Sequence, residues 1–213
     1  MAVRKPPIHR LPSERVTTVL EEVRMKAKGA TSPDVLEEIY TKYNYDEVVC
    51  ENLAINKATP SIVREKLAGH ESLKIRYFIA DRSQYLKDEH VLKELTKDEC
   101  IIRAAVAKRT ENDSILELLF RSNPSNEGIR QMCIKRLTDM NKLEKLIFKR
   151  EPEKTLNIYL NSIMSNRHLN RRIVLLVWKY AKELSDEQIC LIAETIENDR
   201  KSTGEMLDKI TME

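Results

Sequence analysis

The sequence predicts an all-α protein, a right-handed α-solenoid of about five two-helix repeats with capping helices at both ends. The first indication is a recurrence with a step of 27 residues, because the same pair stands at Ile75-Arg76, Ile102-Arg103 and Ile129-Arg130. The second is the i, i+3, i+4 spacing of apolar residues along most of the chain. The third is composition, since only four glycines, seven prolines and 5% aromatic residues favour helices over a turn-rich sheet.

The chain of 213 residues is predicted to form one elongated domain with an N-terminal extension. Residues 1–12 contain a Pro-Pro pair and basic residues without a helical period, so we expect a flexible basic arm. The helical-repeat domain then covers 13–213. Within it we expect a capping helix over 13–30, the repeats over 31–165 and the C-terminal helices over 166–213.

The first helix of each repeat is predicted from its start signals. Ser32-Pro33 and Thr59-Pro60 lie 27 residues apart, and each offers a capping hydroxyl followed by a proline at the first helical position. Further along, aspartates placed before apolar pairs predict helix starts at Asp88, Asp113 and Asp139.

Two columns of arginines follow the same step on the second helices. The first column consists of Arg76, Arg103 and Arg130. We expect these arginines to form a structural ladder, in which each guanidinium reaches a carboxylate or carbonyl of its own or the adjacent repeat. The second column lies six residues further along and consists of Arg82, Arg109 and Arg136. Its charges either complement helix C-termini or contact a ligand, and the sequence leaves both interpretations open.

After the repeats, the pattern of apolar residues changes. Residues 171–178, RRIVLLVW, are nearly continuously apolar after two arginines, which predicts a helix buried on more than one side with Trp178 inside. Ser185 and Gln188 predict a capping box at the start of the next helix, and Ser202 predicts the start of a short last one.

The net charge of +3 is distributed unevenly. Residues 130–182 hold 13 basic and four acidic residues, a balance of +9, whereas 183–213 hold three basic and nine acidic residues, a balance of −6. Blocks of one sign can mark a partner surface. The candidate contacts for a partner or for phosphates are Arg82, Arg109, Lys135, Arg136, Lys149, Arg150, Arg171 and Arg172.

Chemical motifs are lacking in the sequence. The four cysteines are far apart among apolar residues, which predicts buried thiols at Cys50, Cys100, Cys133 and Cys190. Four scattered histidines and four glycines form neither a metal motif nor a phosphate loop. We therefore expect no enzyme, no catalytic residue, no metal and no cofactor. Since no run approaches about 18 apolar residues, we expect no membrane partner and a cytoplasmic location.

Residues 97–107, KDECIIRAAVA, resemble the second helix of HEAT-like repeats, in which an aspartate precedes a hydrophobic-arginine pair and an alanine-rich apolar run. The alternation of Thr59-Pro60 with Ile75-Arg76 is similar to the leucine-rich repeat variant. The resemblance covers roughly 31–165 and implies a solenoid fold that hosts protein scaffolds, nucleic-acid binders and, rarely, enzymes. The chain departs from the alkylpurine DNA glycosylases with such repeats, because no Trp-x-x-x-Asp arrangement lies on a repeat helix.

Three functions follow as expectations. The first is a non-enzymatic adaptor whose concave surface, built from one helix of each repeat, binds a protein partner with an acidic segment. The alternative is a DNA- or RNA-binding protein that contacts phosphates through 130–182, with affinity that falls steeply as salt rises. The third is a homo-oligomer in which the acidic residues 183–213 of one copy cover the basic segment of another.

Overall fold

A computed structural model describes residues 13–82, 86, 89–149, 152–181 and 183–211. Across these residues the regular structure is helical throughout, with thirteen helices and no strand, which confirms the all-α prediction. The chain divides into two compact units, Met1–Asp88 and Glu89–Glu213. The predicted arm over 1–12, the predicted cap Asp88 and the candidate contact Arg150 lie outside the described residues.

The helices of the first unit are α1 (Ser13–Gly29), α2 (Pro33–Tyr43), α3 (Glu47–Ile55), α4 (Ser61–Ala68) and α5 (Leu73–Ala80). Helix α3 packs against both α1 and α5, while α2 packs on α3 and α4 packs on α5. The contact between α1 and α3 includes an ion pair, in which the Nη2 of Arg24 lies 2.7 Å from a carboxylate oxygen of Asp46. This guanidinium holds the pKa of Asp46 below its ordinary value.

The helices of the second unit are α6 (Glu89–Leu95), α7 (Cys100–Arg109), α8 (Asp113–Ser122), α9 (Glu127–Arg136), α10 (Met140–Ile147), α11 (Pro152–Met164), α12 (Arg171–Tyr180) and α13 (Asp186–Thr211). Helix α9 packs against both α7 and α11, and α12 packs against both α11 and α13. The even-numbered α8 and α10 pack on α9 and α11 respectively.

The recurring isoleucines form the middle of the apolar core in each unit. Ile75 and Ile102 are completely buried and Ile129 is 2% exposed, on α5, α7 and α9 respectively. Removing such a side chain from water contributes about 1.5 to 3 kcal/mol. The isoleucine of each pair therefore anchors its helix, and the arginine that follows lies at the edge of the core, where it is half-buried.

The two serine/threonine-proline starts differ from each other. Helix α2 begins at Pro33 with Ser32 in the capping position, as predicted, although the serine side chain makes no capping hydrogen bond. Helix α4 begins one residue later than predicted, at Ser61, with Pro60 itself in the capping position. The hydroxyl of Thr59 is buried and donates to the carbonyl of Leu53 at 2.7 Å, and α4 has no side-chain capping hydrogen bond.

The two described aspartates predicted to start helices also differ from each other. Asp139 caps α10 as predicted, by accepting from the backbone N–H groups of Asn141 and Lys142. The prediction for Asp113 is wrong, because Asn112 caps α8 and Asp113 is already the first helical residue. The carboxylate of Asp113 instead accepts from the backbone N–H groups of Thr138 and Asp139, at 2.9 and 2.7 Å. It thereby ties the start of α8 to the turn before α10.

Two predictions for the C-terminal helices need correction. The capping box is present, since Ser185 and Gln188 each accept from the other's backbone N–H group. However, α13 continues to Thr211 without a new start at Ser202, because neither a proline nor a left-handed residue interrupts it. In α12 only one side is buried, and Trp178 is 56% exposed rather than enclosed. Its apolar residues surround the helix, but neighbours cover only one face.

A side chain beyond the end of one helix closes the C-terminal turn of the helix packed beside it. In the first unit, the side-chain N–H₂ of Asn56 follows α3 and donates to Ala27 O and Ala30 O at the end of α1, both at 2.9 Å. In the second unit, the side-chain N–H₂ of Asn166 follows α11 and donates to Ile134 O and Leu137 O at the end of α9, at 2.6 and 2.8 Å. The last carbonyls of a helix have no partner within it, so these bonds satisfy groups that burial would otherwise leave unpaired.

The two hydrogen bonds that Asn166 donates predict the effect of removing its side-chain amide. Asn166→Ala leaves two buried carbonyls unpaired and should lower the free energy of unfolding by about 1 to 3 kcal/mol, measured by urea denaturation. The matched control is Asn157→Ala, because Asn157 is an exposed asparagine on α11. Equal unfolding midpoints for the two variants would contradict a structural role for the Asn166 amide.

Candidate functional site

Exposed cations of the second unit concentrate in a cleft, a groove and one face of a helix. The cleft, here called the Arg130 cleft, has a volume of 660 Å³. Its lining residues are Phe120, Arg121, Pro124, Arg130, Lys145, Leu146, Ile147, Lys149 and Thr155. Four of these side chains are cationic and none is acidic, while the apolar members give the cleft a partly non-polar wall. Low-dielectric walls strengthen the field of the charges between them.

Aromatic rings fix the position of Arg130 in this cleft. Its guanidinium carbon lies 4.2 Å from the ring centre of Phe120 and 5.1 Å from that of Tyr159. Both rings are almost fully buried and their centres are 5.8 Å apart. Burial raises the pKa of Tyr159, and the charge of Arg130 opposes that increase. The guanidinium is thus held by stacking, which leaves its edge available for hydrogen bonding.

The groove, here called the Arg136 groove, has a volume of 590 Å³ and is lined by Glu111, Lys135, Arg136, Thr138, Ser165, Arg167 and His168. Arg136 itself is engaged with the protein. Its Nε donates to Thr110 O at 3.1 Å and its Nη2 to Arg109 O at 3.3 Å, so it closes the C-terminal turn of α7. Lys135 and Arg167 are exposed and extend the positive charge of the groove.

The third region, here called the α12 face, comprises Arg171, Arg172, Leu175, Trp178 and Lys179. At 100° per residue these side chains leave α12 within an arc of about 120°, opposite the buried side of the helix. Trp178 is 56% exposed and Leu175 is 46% exposed. The Nε of Arg172 lies 2.8 Å from a carboxylate oxygen of Glu144. The face therefore joins an exposed aromatic and an aliphatic side chain with three cations.

Five of the eight candidate contacts lie in these regions. Lys149 lies in the Arg130 cleft, Lys135 and Arg136 lie in the Arg136 groove, and the α12 face holds Arg171 and Arg172. The remaining described candidates are half-buried, Arg109 at the last position of α7 and Arg82 just beyond α5 in the first unit.

The first arginine column behaves differently at each position. Arg76 donates from Nη1 to His70 O and Glu71 O, at 3.0 and 2.8 Å, which fastens the start of α5. The Nε of Arg103 is buried without a hydrogen-bond partner among the described residues, and the same is true of the Nε of Arg130. Equal spacing in the sequence therefore does not give equal contacts.

The roles of several residues are not predictable from the sequence. The repeat spacing does not mark Lys145. It lines the cleft because it lies four residues before Lys149, on the same side of the chain. Trp178 lies within an apolar run, which gives no sign of its exposure. Arg64 is 2% exposed, and its Nε donates to Thr59 O at 2.9 Å. It is a structural residue of the first unit whose type alone would place it on the surface.

The described part of the chain holds neither a metal-ligand cluster nor a membrane-spanning helix. No group of three or more histidine, cysteine, aspartate or glutamate side chains there is arranged to hold a metal ion. Within the same residues, no helix has the length and apolar character needed to cross a membrane.

No protein-family model, no curated protein and no solved structure matches the chain. The assignment of function therefore depends on the geometry and charge of the three regions described above.

The cysteines only partly follow the expectation of burial. Cys50 and Cys133 are buried, and burial raises their thiol pKa values to about 11 and about 12. Cys100 and Cys190 are exposed, so the prediction of four buried thiols is wrong. Their apolar neighbours in the sequence lie on other sides of α7 and α13.

This division predicts selective alkylation. Iodoacetamide at pH 8 should modify Cys100 and Cys190 in the folded protein and spare Cys50 and Cys133, because only accessible thiolates react quickly. Peptide mass mapping gives the four extents separately, and the urea-unfolded protein serves as the control in which all four react. Rapid native modification of Cys133 would contradict the burial described here.

Proposed function

We propose that the protein is a non-enzymatic helical-repeat adaptor that binds an acidic, apolar segment of a protein partner on the α12 face. The single observation that carries the proposal is the exposure of Trp178 and Leu175 on a helix face that also holds three cations. Tryptophan and arginine are enriched among the residues that dominate protein–protein binding energy. An exposed tryptophan on a helix that already buries its other side supports a docking surface.

The solenoid arrangement belongs to the same proposal. Helix α7 begins at Cys100 and α9 begins 27 residues later at Glu127, which supports a repeat of about that length. In each unit, the second helix of one repeat packs between two other helices. Helix α3 packs between α1 and α5, and α9 packs between α7 and α11. A right-handed array of two-helix repeats would stack in this order, with α12 and α13 closing its C-terminal end.

Charge complementarity favours an acidic occupant. Lys179 and Arg171 flank the two exposed apolar side chains of the α12 face. An acidic segment with apolar residues could place its carboxylates near these cations and its apolar groups on Trp178 and Leu175. Charges at the edge of an interface, such as these, act mainly on association rate and specificity, while the apolar contact supplies most of the affinity.

Nucleic acid is the competing ligand, since the basic surface could also follow phosphates and Trp178 could stack on a base. Two of the predicted phosphate contacts already bond protein groups: Arg136 donates to backbone carbonyls and Arg172 pairs with Glu144. The paired aliphatic and aromatic side chains of the α12 face also suit a peptide better than a sugar–phosphate chain. These contacts support the protein partner over DNA or RNA.

Intrinsic fluorescence tests the proposal directly, because Trp178 is the single tryptophan of the chain. A short peptide of alternating glutamate and leucine should bind with a blue shift of the Trp178 emission, because the indole leaves water. The affinity should fall moderately as salt is raised, since screening weakens the rim charges. A peptide with lysine in place of glutamate should bind at least tenfold more weakly, as expected for about 1.4 kcal/mol of charge complementarity.

Matched variants locate the contact. Leu175→Ala should weaken peptide binding, whereas Ile158→Ala should not, although the two side chains are 46% and 45% exposed in the same unit. Lys179→Glu should also weaken peptide binding, with Lys108→Glu on α7 as the charge control.

Equal affinity for the acidic and lysine peptides would contradict the proposal. Tighter, steeply salt-dependent binding of an oligonucleotide supports the competing function, and a Trp178 shift on concentrating the protein alone supports a homo-oligomer.

A further inference from the structure

We infer that the Arg130 cleft is a binding site for a phosphate monoester, separate from the α12 face. The site is defined by residues of α8, α9, α10 and α11 that surround the 660 Å³ cleft. Neither the sequence pattern nor the proposed adaptor function accounts for it, because the cleft includes Arg121, Lys145 and Thr155 in addition to the predicted candidates.

Within the part of the chain that the structure describes, no acidic side chain lines the cleft. Arg121 donates from Nε and Nη2 to one carboxylate oxygen of Glu117, at 3.1 and 2.9 Å, so its charge is matched. Lys145 and Lys149 are exposed and form no ion pair among the described residues. Among the described residues that line the cleft, these two lysines and Arg130 leave a balance of three positive charges around a space with a partly apolar wall.

The arginine at the inner side of the cleft is pre-positioned. Stacking on Phe120 and Tyr159 fixes the plane of the Arg130 guanidinium. Its one hydrogen bond among the described residues runs from Nη1 to Pro124 O and is long, at 3.4 Å. A guanidinium held by rings and only weakly hydrogen-bonded retains its fork of N–H donors for an oxyanion.

The unpaired Nε of Arg130 adds little to this inference. The same atom of Arg103 is also buried and unpaired, and Arg103 does not line the cleft. The unpaired Nε therefore reflects the position of these arginines at the edge of the core. A ligand is favoured instead by the open space and by the positive charge around it that no described lining residue compensates.

A phosphate monoester fits this space better than a carboxylate or a phosphodiester. It carries about −1.5 to −2 charges at pH 7, which suits three uncompensated cations, whereas a carboxylate or a phosphodiester carries one. Thr155 lies in the first turn of α11 and brings a hydroxyl donor, together with the positive end of the α11 dipole. The apolar wall and the cleft volume leave room for the organic group that bears the phosphate.

Titration of the 213-residue chain distinguishes two carriers of the phosphate monoester, a free small molecule and a polypeptide. Isothermal titration with O-phosphoserine measures a free small phosphate monoester, and a phosphoserine peptide measures the same group on a polypeptide. The unphosphorylated peptide and a peptide with glutamate at that position should bind at least tenfold more weakly. If O-phosphoserine and the phosphopeptide bind equally, the ligand is a small molecule; tighter binding of the phosphopeptide identifies a modified protein segment.

Variants assign the binding to the cleft. Lys145→Ala and Lys149→Ala should each reduce affinity by roughly tenfold, since each removes one charge from a group bound in a low-dielectric setting. Both residues are exposed, so the fold should survive. The control is Lys135→Ala, which removes an exposed cation of the Arg136 groove. Arg130→Lys keeps the charge but removes the planar set of guanidinium N–H donors, and should reduce affinity more than either lysine variant does.

The outcomes separate this site from the α12 face. Phosphoserine should leave the Trp178 emission unchanged, and Lys145→Ala should leave binding of the glutamate–leucine peptide unchanged. The inference is overturned if no phosphate monoester binds at low salt, or if Lys135→Ala weakens binding as much as Lys145→Ala. It is also overturned if a phosphodiester oligonucleotide binds more tightly through Lys145 and Lys149 than the monoester does.

Discussion

The packing of second helices depends on satisfying the carbonyl groups at their C-terminal ends. These groups have no partners within the helix, and burial without partners costs about 1 to 3 kcal/mol each. The chain supplies the missing donors from the next second helix, through Asn56 and Asn166 after α3 and α11 and through Arg136 at the end of α9. Each bond joins two neighbouring helices, and the helices joined by Arg136, α7 and α9, carry the buried Ile102 and Ile129.

This constraint divides the cations of the second unit into two groups. Arg136 and Arg172 bond acceptors of the protein and contribute to structure. Lys145 and Lys149 lie outside such contacts in the described residues, and none of the described residues that line their cleft is acidic. A ligand is expected where charge remains uncompensated next to apolar surface, which is why the proposals place it at the Arg130 cleft and the α12 face rather than along a complete arginine column.

Much of the helical fold follows from local sequence, and much of the site does not. Local rules identify α1, the cap at Asp139 and the capping box at Ser185, because each depends on a few neighbouring residues. They fail where tertiary contacts decide. Trp178 lies in an apolar run, yet only the packing of α11 and α13 on α12 determines which side of that run is buried. Similarly, the pairing of Arg136 with carbonyls of α7 joins residues about one repeat apart, which no local pattern reveals.

Hydrogen–deuterium exchange of Arg136→Met tests the central claim that a side chain from one second helix holds the terminal turn of another. The account predicts faster exchange of the amides in the last turn of α7, including Thr110, whose N–H bonds Val106 O at 2.8 Å. Exchange in the first turn of α7 should not change, and Lys135→Met on the same helix should have no effect. Unchanged exchange at Thr110 in Arg136→Met would contradict the account.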